Sequence, residues 1–124
     1  MQKKRILIVD DERNVRMSIH LVLEHLDYEI DFAENGVEAI ARIEKGPYDL
    51  IITDYKMPEM DGVELIQKAK ELFPSMPILM VAGDRPEGSL LKCGATAYIE
   101  KPFNVFELQK TVERILENEN GIIR

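Results

Sequence analysis

The chain has 124 residues, of which 45% are hydrophobic and 31% charged, the size and balance of one globular domain with a single buried core. This composition excludes a disordered, collagen-like or repetitive chain. A formal net charge of −7 argues against direct binding to a nucleic-acid backbone, which needs clustered Lys and Arg.

In chain order, Lys3-Lys4-Arg5 is a short basic run that reads as a solvated lead-in to the first strand. No apolar leader segment follows these charges, and no stretch approaches the roughly 20 apolar residues of a membrane span, so a cytoplasmic protein is expected. Arg5-Ile6-Leu7-Ile8-Val9 is a continuous apolar run, the pattern of a parallel strand buried on both faces. Val15, Ile19, Val22, Leu23 and Leu26 follow helical spacing after the acids Asp11 and Glu12, which favour the positive end of a helix dipole. Tyr28, Ile30 and Phe32 alternate with polar residues, as a half-buried strand near a sheet edge does. Val37, Ile40 and Ala41 mark a second helix after Asn35-Gly36.

Asp49-Leu50-Ile51-Ile52-Thr53 and Pro77-Ile78-Leu79-Met80-Val81 are further buried-strand runs. Between them Leu65, Ile66, Ala69, Leu72 and Phe73 mark a third helix after Asp61-Gly62. The stretch from Gly83 to Gly94 also holds Pro86 and Gly88, which leaves room only for a short, irregular helix over Ser89–Cys93. Cys93, the single cysteine, excludes an intramolecular disulfide and reads as a small packed hydrophobe. Ala97-Tyr98-Ile99 is a short fifth strand, and Val105, Leu108, Val112, Ile115 and Leu116 mark the last helix, with Asn104 and Glu107 spaced as a capping box. The tail from Glu117 to Gly121 reads as a fraying helix end. This β-α alternation predicts a parallel sheet with helices on both faces, in one domain spanning 1–124 with its core over 4–117.

Ligands of open parallel sheets bind at the carboxyl ends of the strands. The first strand is followed there by Asp10-Asp11, the third by Asp54, the fourth by Ala82-Gly83 and the fifth by Glu100-Lys101-Pro102. Carboxylates a few ångströms apart raise one another's pKa, and a hard divalent cation relieves this. Mg²⁺ suits such a site because it accepts one or two carboxylates together with waters and phosphate oxygens. One carboxylate is then able to attack phosphorus, while metal and Lys neutralise the transferred oxygens.

Ile8-Val9-Asp10-Asp11, the run Asp54-Tyr55-Lys56-Met57-Pro58-Glu59-Met60-Asp61-Gly62, and Lys101-Pro102-Phe103 resemble the receiver domain of two-component response regulators, over about residues 4 to 117. The resemblance implies a flavodoxin-like, doubly wound five-stranded sheet of order 2-1-3-4-5. It implies Asp54 as phosphoacceptor, and Asp11, Asp54 and the Lys56 carbonyl as direct Mg²⁺ ligands with Asp10 acting through water. It further implies Lys101 against the phosphoryl group, a cis Lys101–Pro102 bond, and Tyr98 as switch aromatic. A sensor histidine kinase or phosphotransfer protein would donate, and an effector protein or domain would receive the signal. A homodimer would use the fourth-helix, fifth-strand and last-helix face.

Each residue taken singly also has a structural role: Asp10 and Asp11 as helix caps, Asp54 as a turn acid, Lys101 as a surface cation, Tyr98 as a half-buried aromatic. Met57, Met60, Met76 and Met80 read as core filler, and His20 and His25 as ordinary first-helix residues. The joint placement at strand ends favours the chemical reading for Asp10, Asp11, Asp54 and Lys101.

The sequence departs from the family's pattern at Ala82, where a Ser or Thr is expected, and the nearest downstream hydroxyl is Ser89. The segment from Ala82 to Lys101 is also a few residues short. Asp54 is therefore expected to accept phosphoryl with weakened coupling to Tyr98, and Arg85 is a candidate substitute contact. The alternative is an atypical receiver that binds partners independently of phosphorylation. An Asp-nucleophile phosphatase needs Asp-x-Asp on the first strand, and Asp10-Asp11-Glu12 does not supply it.

Overall fold

Each apolar run becomes a strand: β1 (Lys4–Val9), β2 (Tyr28–Ala33), β3 (Leu50–Thr53), β4 (Ile78–Ala82) and β5 (Ala97–Glu100). The structure, a computed structural model, describes residues 3–83 and 94–117. All strand pairs are parallel and the sheet order is β2-β1-β3-β4-β5. The helices described are α1 (Arg13–Leu23), α2 (Gly36–Glu44), α3 (Gly62–Leu72) and α4 (Val105–Glu117). The parallel sheet follows the alternation of elements, and its order is that of the flavodoxin-like, doubly wound architecture implied by the resemblance.

Side chains alternate across a strand, so the continuous apolar runs feed two cores at once. Leu7, Val9, Ile51 and Met80 face Ala39 and Ile43 of α2 and Leu65, Ile66 and Ala69 of α3. Ile6, Ile8, Ile52, Leu79 and Val81 face Ile19 and Leu23 of α1 and Leu108 and Val112 of α4. Met57, Met60, Met76 and Met80 are all buried in the first core, the filler role expected of them. β2 lies at one edge of the sheet, opposite β5, and its Tyr28, Ile30 and Phe32 are only partly buried.

Several local expectations are corrected. In α2 the buried stripe is Gly36, Ala39 and Ile43, while Val37 and Ala41 face solvent. The stripe keeps i, i+3, i+7 spacing but is phased by small residues, and a Cβ on Gly36 would collide with the Met60 side chain. α1 stops at Leu23, so His25 and Leu26 lie in the turn that follows. Its acids precede the first turn rather than occupying it, and Glu12 at the N-cap makes no side-chain cap bond. β4 runs one residue further than expected and includes Ala82. For α4 the Asn104 carboxamide accepts the Glu107 N–H at 3.1 Å, as a capping residue should. The short helix expected over Ser89–Cys93, with Arg85, Pro86 and Gly88, lies outside the described residues, as does the tail beyond Glu117.

Candidate functional site

The strand carboxyl ends meet on one rim. Asp10 leaves β1 with every polar atom engaged. Its N–H donates to the Ala33 carbonyl at 3.2 Å, its Oδ1 accepts the Glu12 N–H at 2.9 Å, and its Oδ2 lies 2.9 Å from Lys101 Nζ. The Asp10 carbonyl accepts from Arg16 Nη1 at 2.7 Å. Asp54 leaves the neighbouring strand β3, its N–H donating to Val9 O at 3.1 Å. Asp54 Oδ1 accepts the Tyr55 N–H at 2.7 Å, and Oδ2 lies 3.3 Å from Lys101 Nζ. One ammonium therefore bridges two carboxylates carried by residues far apart in sequence.

The loop after Asp54 is held just as closely. Glu59 takes a positive φ of 71°. Asp61 caps α3, its Oδ1 accepting the Glu64 N–H at 2.9 Å, and the Gly62 N–H returns to Tyr55 O at 2.7 Å. A Cβ on Gly62 would collide with the backbone carbonyl of Asp54, so only glycine lets α3 begin this near the acid. On the far side the Lys101–Pro102 bond is cis, as expected. The Lys101 N–H donates to Ala82 O at 2.9 Å, and the same carbonyl accepts the Tyr98 hydroxyl at 3.0 Å.

Asp11, Asp54, Lys56, Ala82 and Lys101 are among the walls of an open cleft of about 280 Å³, with Asp10 buried behind them. Burial raises the Asp10 carboxyl above its ordinary value, against the pull of the Glu12 N–H and of Lys101. Burial alone would lower Lys101, but its bond to Asp10 and the charges of Asp10 and Asp54 outweigh this and hold it above its ordinary value. The ammonium is thus firmly charged. Carboxylate oxygens of Asp10, Asp11 and Glu12 lie within 4.8 Å of one another. Hard oxygen donors on an open cleft fit a Mg²⁺ ion.

A sequence model of the response regulator receiver domain matches residues 6–113. The chain belongs to the response regulator receiver domain family. This receiver domain is 31% identical over 123 residues to the response regulator receiver protein CpdR of Brucella abortus, a match covering 91% of this chain and 97% of that protein. It is 38% identical over 115 residues to the transcriptional regulatory protein ResD of Bacillus subtilis, covering 90% of this chain but 48% of ResD. Among solved structures, a CheY-like receiver domain protein of Methanospirillum hungatei superposes with a TM-score of 0.86 at 38% identity, covering 94% of this chain and 96% of that one. Chemotaxis response regulator CheY4 of Vibrio cholerae superposes with a TM-score of 0.84 at 32% identity, covering 93% and 100%. Among the described residues of the receiver domain, no helix is long and apolar enough to cross a membrane.

The fold brings together Asp10, Asp11, Asp54, Lys56, Ala82 and Lys101 at one cleft, with Tyr98 tied to its edge through Ala82 O. Two participants escaped the sequence reading. In the sequence Glu12 reads only as a helix-start acid, yet it lines the cleft. Arg16, 9% exposed, lies on the buried stripe of α1 with Ile19 and Leu23. A charged residue at i−3 of an apolar helical stripe was the signal that could have found it. The Arg85 contact lies outside the described residues.

Proposed function

We propose that this receiver accepts a phosphoryl group on Asp54 from a histidine kinase or phosphotransfer protein, in a Mg²⁺-dependent reaction, and signals by contact with an effector. The observation that carries this is the Lys101 ammonium at 2.9 Å from Asp10 and 3.3 Å from Asp54, at the wall of an open acidic cleft. Asp11, Asp54 and the Lys56 carbonyl would hold the ion directly, with Asp10 acting through water. When bound, the ion supplies positive charge to the oxygens of the transferred group.

The chain's own residues do the rest. An Asp54 carboxylate oxygen attacks phosphorus; the new O–P bond forms as the donor's P–N or P–O bond breaks, and the donor leaves with that electron pair. Lys101 balances charge on the phosphoryl oxygens. The receiver thus catalyses its own phosphorylation and dephosphorylation and no separate turnover. Intact mass after incubation with acetyl phosphate and Mg²⁺ tests the reading. One added phosphoryl group, absent with Asp54→Asn or EDTA, is expected. No addition from either acetyl phosphate or a cognate kinase would refute it.

A second reading, an interaction module insensitive to phosphorylation, is favoured by one observation. The Tyr98 hydroxyl already bonds Ala82 O, and Ala82 has no hydroxyl to move. Amide spectra of the Tyr98 region with and without a phosphoryl mimic separate the two: large shifts favour the switch, unchanged spectra the module.

A further inference from the structure

α1 starts without the usual device. Glu12 occupies the N-cap but its side chain makes no cap hydrogen bond. The strand-to-helix junction is instead clasped from both ends. The Asp10 carboxylate accepts the Glu12 N–H at 2.9 Å, and Arg16 Nη1 donates to the Asp10 carbonyl at 2.7 Å. Helical side chains lean toward the helix N-terminus, so an Arg one turn into α1 reaches back past the helix start. Arg16 is 9% exposed, and burying a guanidinium there is costly unless its bond is needed. The Asp10 N–H is fixed from the opposite side by Ala33 O. That bond holds the Val9–Asp10 peptide, whereas Arg16 holds the next one, Asp10–Asp11, through its carbonyl; removing the Arg16 bond therefore frees the peptide that links the two acids and sets where their carboxylates point.

We propose that Arg16 is a positioning residue of the acidic cleft, fixing the Asp10–Asp11 peptide so that the Asp10 and Asp11 carboxylates are held ready for a divalent cation. The inference rests on the Mg²⁺ reading above. Groups that orient metal ligands without touching the metal typically contribute about 10–100-fold in affinity. Arg16→Met keeps the aliphatic stem and removes the fork, and a loss at the lower end, about tenfold, is expected.

A control separates positioning from general destabilisation. Arg5 sits at the opposite, amino end of the sheet, where its guanidinium bonds Pro47 O at 3.1 Å and covers the Tyr48 ring at 4.5 Å. Arg5→Ala should lower stability and leave the cleft alone. The experiment titrates Mg²⁺ alone into the isotopically labelled chain and follows amide shifts of Asp10, Asp11 and Asp54, with urea unfolding of each variant alongside. Expected are saturable shifts in the wild type, affinity weakened about tenfold in Arg16→Met, and wild-type affinity in Arg5→Ala. Wild-type affinity in a folded Arg16→Met, or equal loss in Arg5→Ala, would overturn the proposal. If Arg16→Met does not fold, Arg16→Lys decides. Its shorter ammonium lacks the fork, so a several-fold loss with a native spectrum upholds the proposal and unchanged affinity overturns it. Absence of Mg²⁺-dependent shifts in the wild type would refute the metal reading itself, and this inference with it.

Discussion

Replacing Lys101 by Met removes the only cation seen to bridge Asp10 and Asp54 among the described residues, while keeping most of the aliphatic stem. At an effective dielectric of about 20, unit charges at 2.9 and 3.3 Å attract by roughly 5 kcal/mol each before desolvation is subtracted. Breaking a buried pair from one side costs about 3–5 kcal/mol. Lys101 keeps 20% of its side-chain surface exposed, so the lower end applies, about 3 kcal/mol near neutral pH. The loss must depend on pH. The folded-state Asp10 carboxyl already lies above its ordinary value of 3.8, and losing the cation pushes it further up. A raised acid destabilises the fold above its folded pKa, and that penalty disappears as pH falls through it. The gap between variant and wild type should therefore shrink below about 1 kcal/mol as pH approaches 4. At the alkaline end Lys101, held above 10.5, contributes fully below that value and loses its contribution as pH rises through the folded pKa. Urea unfolding of both proteins followed by circular dichroism across this range measures the gap. A gap that stays constant with pH, or one below about 0.5 kcal/mol at neutrality, would refute the argument that Lys101 is the counter-ion of a strained acid pair.

Gly62→Ala sets a Cβ against the Asp54 carbonyl and the Tyr55 Cα, backbone that further hydrogen bonds hold in place; a loss of about 1–3 kcal/mol in urea unfolding is expected, and a change within error would show that the loop yields. Tyr98→Phe removes one of two bonds to Ala82 O, leaving the Lys101 N–H in place, so the cost should stay near 0.5–1.5 kcal/mol, roughly one neutral hydrogen bond, by the same measurement. Ala82→Thr adds a hydroxyl at the cleft wall; a hydrogen bond to a charged phosphoryl oxygen, about 1.5–3 kcal/mol, should raise the rate of acetyl-phosphate labelling by about tenfold or more, read by mass against time. An unchanged rate would mean that the hydroxyl does not reach the group.

The sheet was legible because burial on both faces writes itself as unbroken apolar runs such as Ile6-Leu7-Ile8-Val9, and parallel strands joined by helices leave few topologies. The acidic rim was legible for a related reason, since Asp10, Asp54 and Lys101 directly follow strands and Ala82 ends one. Helix faces were less so. In α2 the small residues Gly36 and Ala39 set the buried stripe, and a pattern read from the large apolar residues chose Val37 instead, which is 51% exposed. α1 was extended too far because Leu26 fits its periodicity although the helix closes with the Glu24 N–H on His20 O. Arg16 stayed hidden because its partner is a backbone carbonyl six residues back, a bond no spacing rule contains. Asp10 was half legible. Its chemistry followed from position, but its near-complete burial, 1% exposed, required the fold.

The cleft's electrostatics also constrain what Lys101 is able to do. With Asp10 Oδ2 at 2.9 Å and Asp54 Oδ2 at 3.3 Å, the ammonium is shared between an acid that burial disfavours and the proposed nucleophile. An ammonium pinned to both quenches the negative charge that Asp54 needs to attack phosphorus, yet without it the two carboxylates repel. A divalent cation on the same acids resolves the conflict. If Asp11, Asp54 and the Lys56 carbonyl hold such an ion, its charge would offset that of the carboxylates, and Lys101 would be released to face incoming phosphoryl oxygens. Lys101 and the metal then occupy overlapping roles in sequence rather than adjacent ones. Mg²⁺ affinity should accordingly rise when Lys101 is replaced by Met, even as labelling of Asp54 falls. A receiver in which both quantities fall together would be one where Lys101 holds the cleft's shape and not its charge.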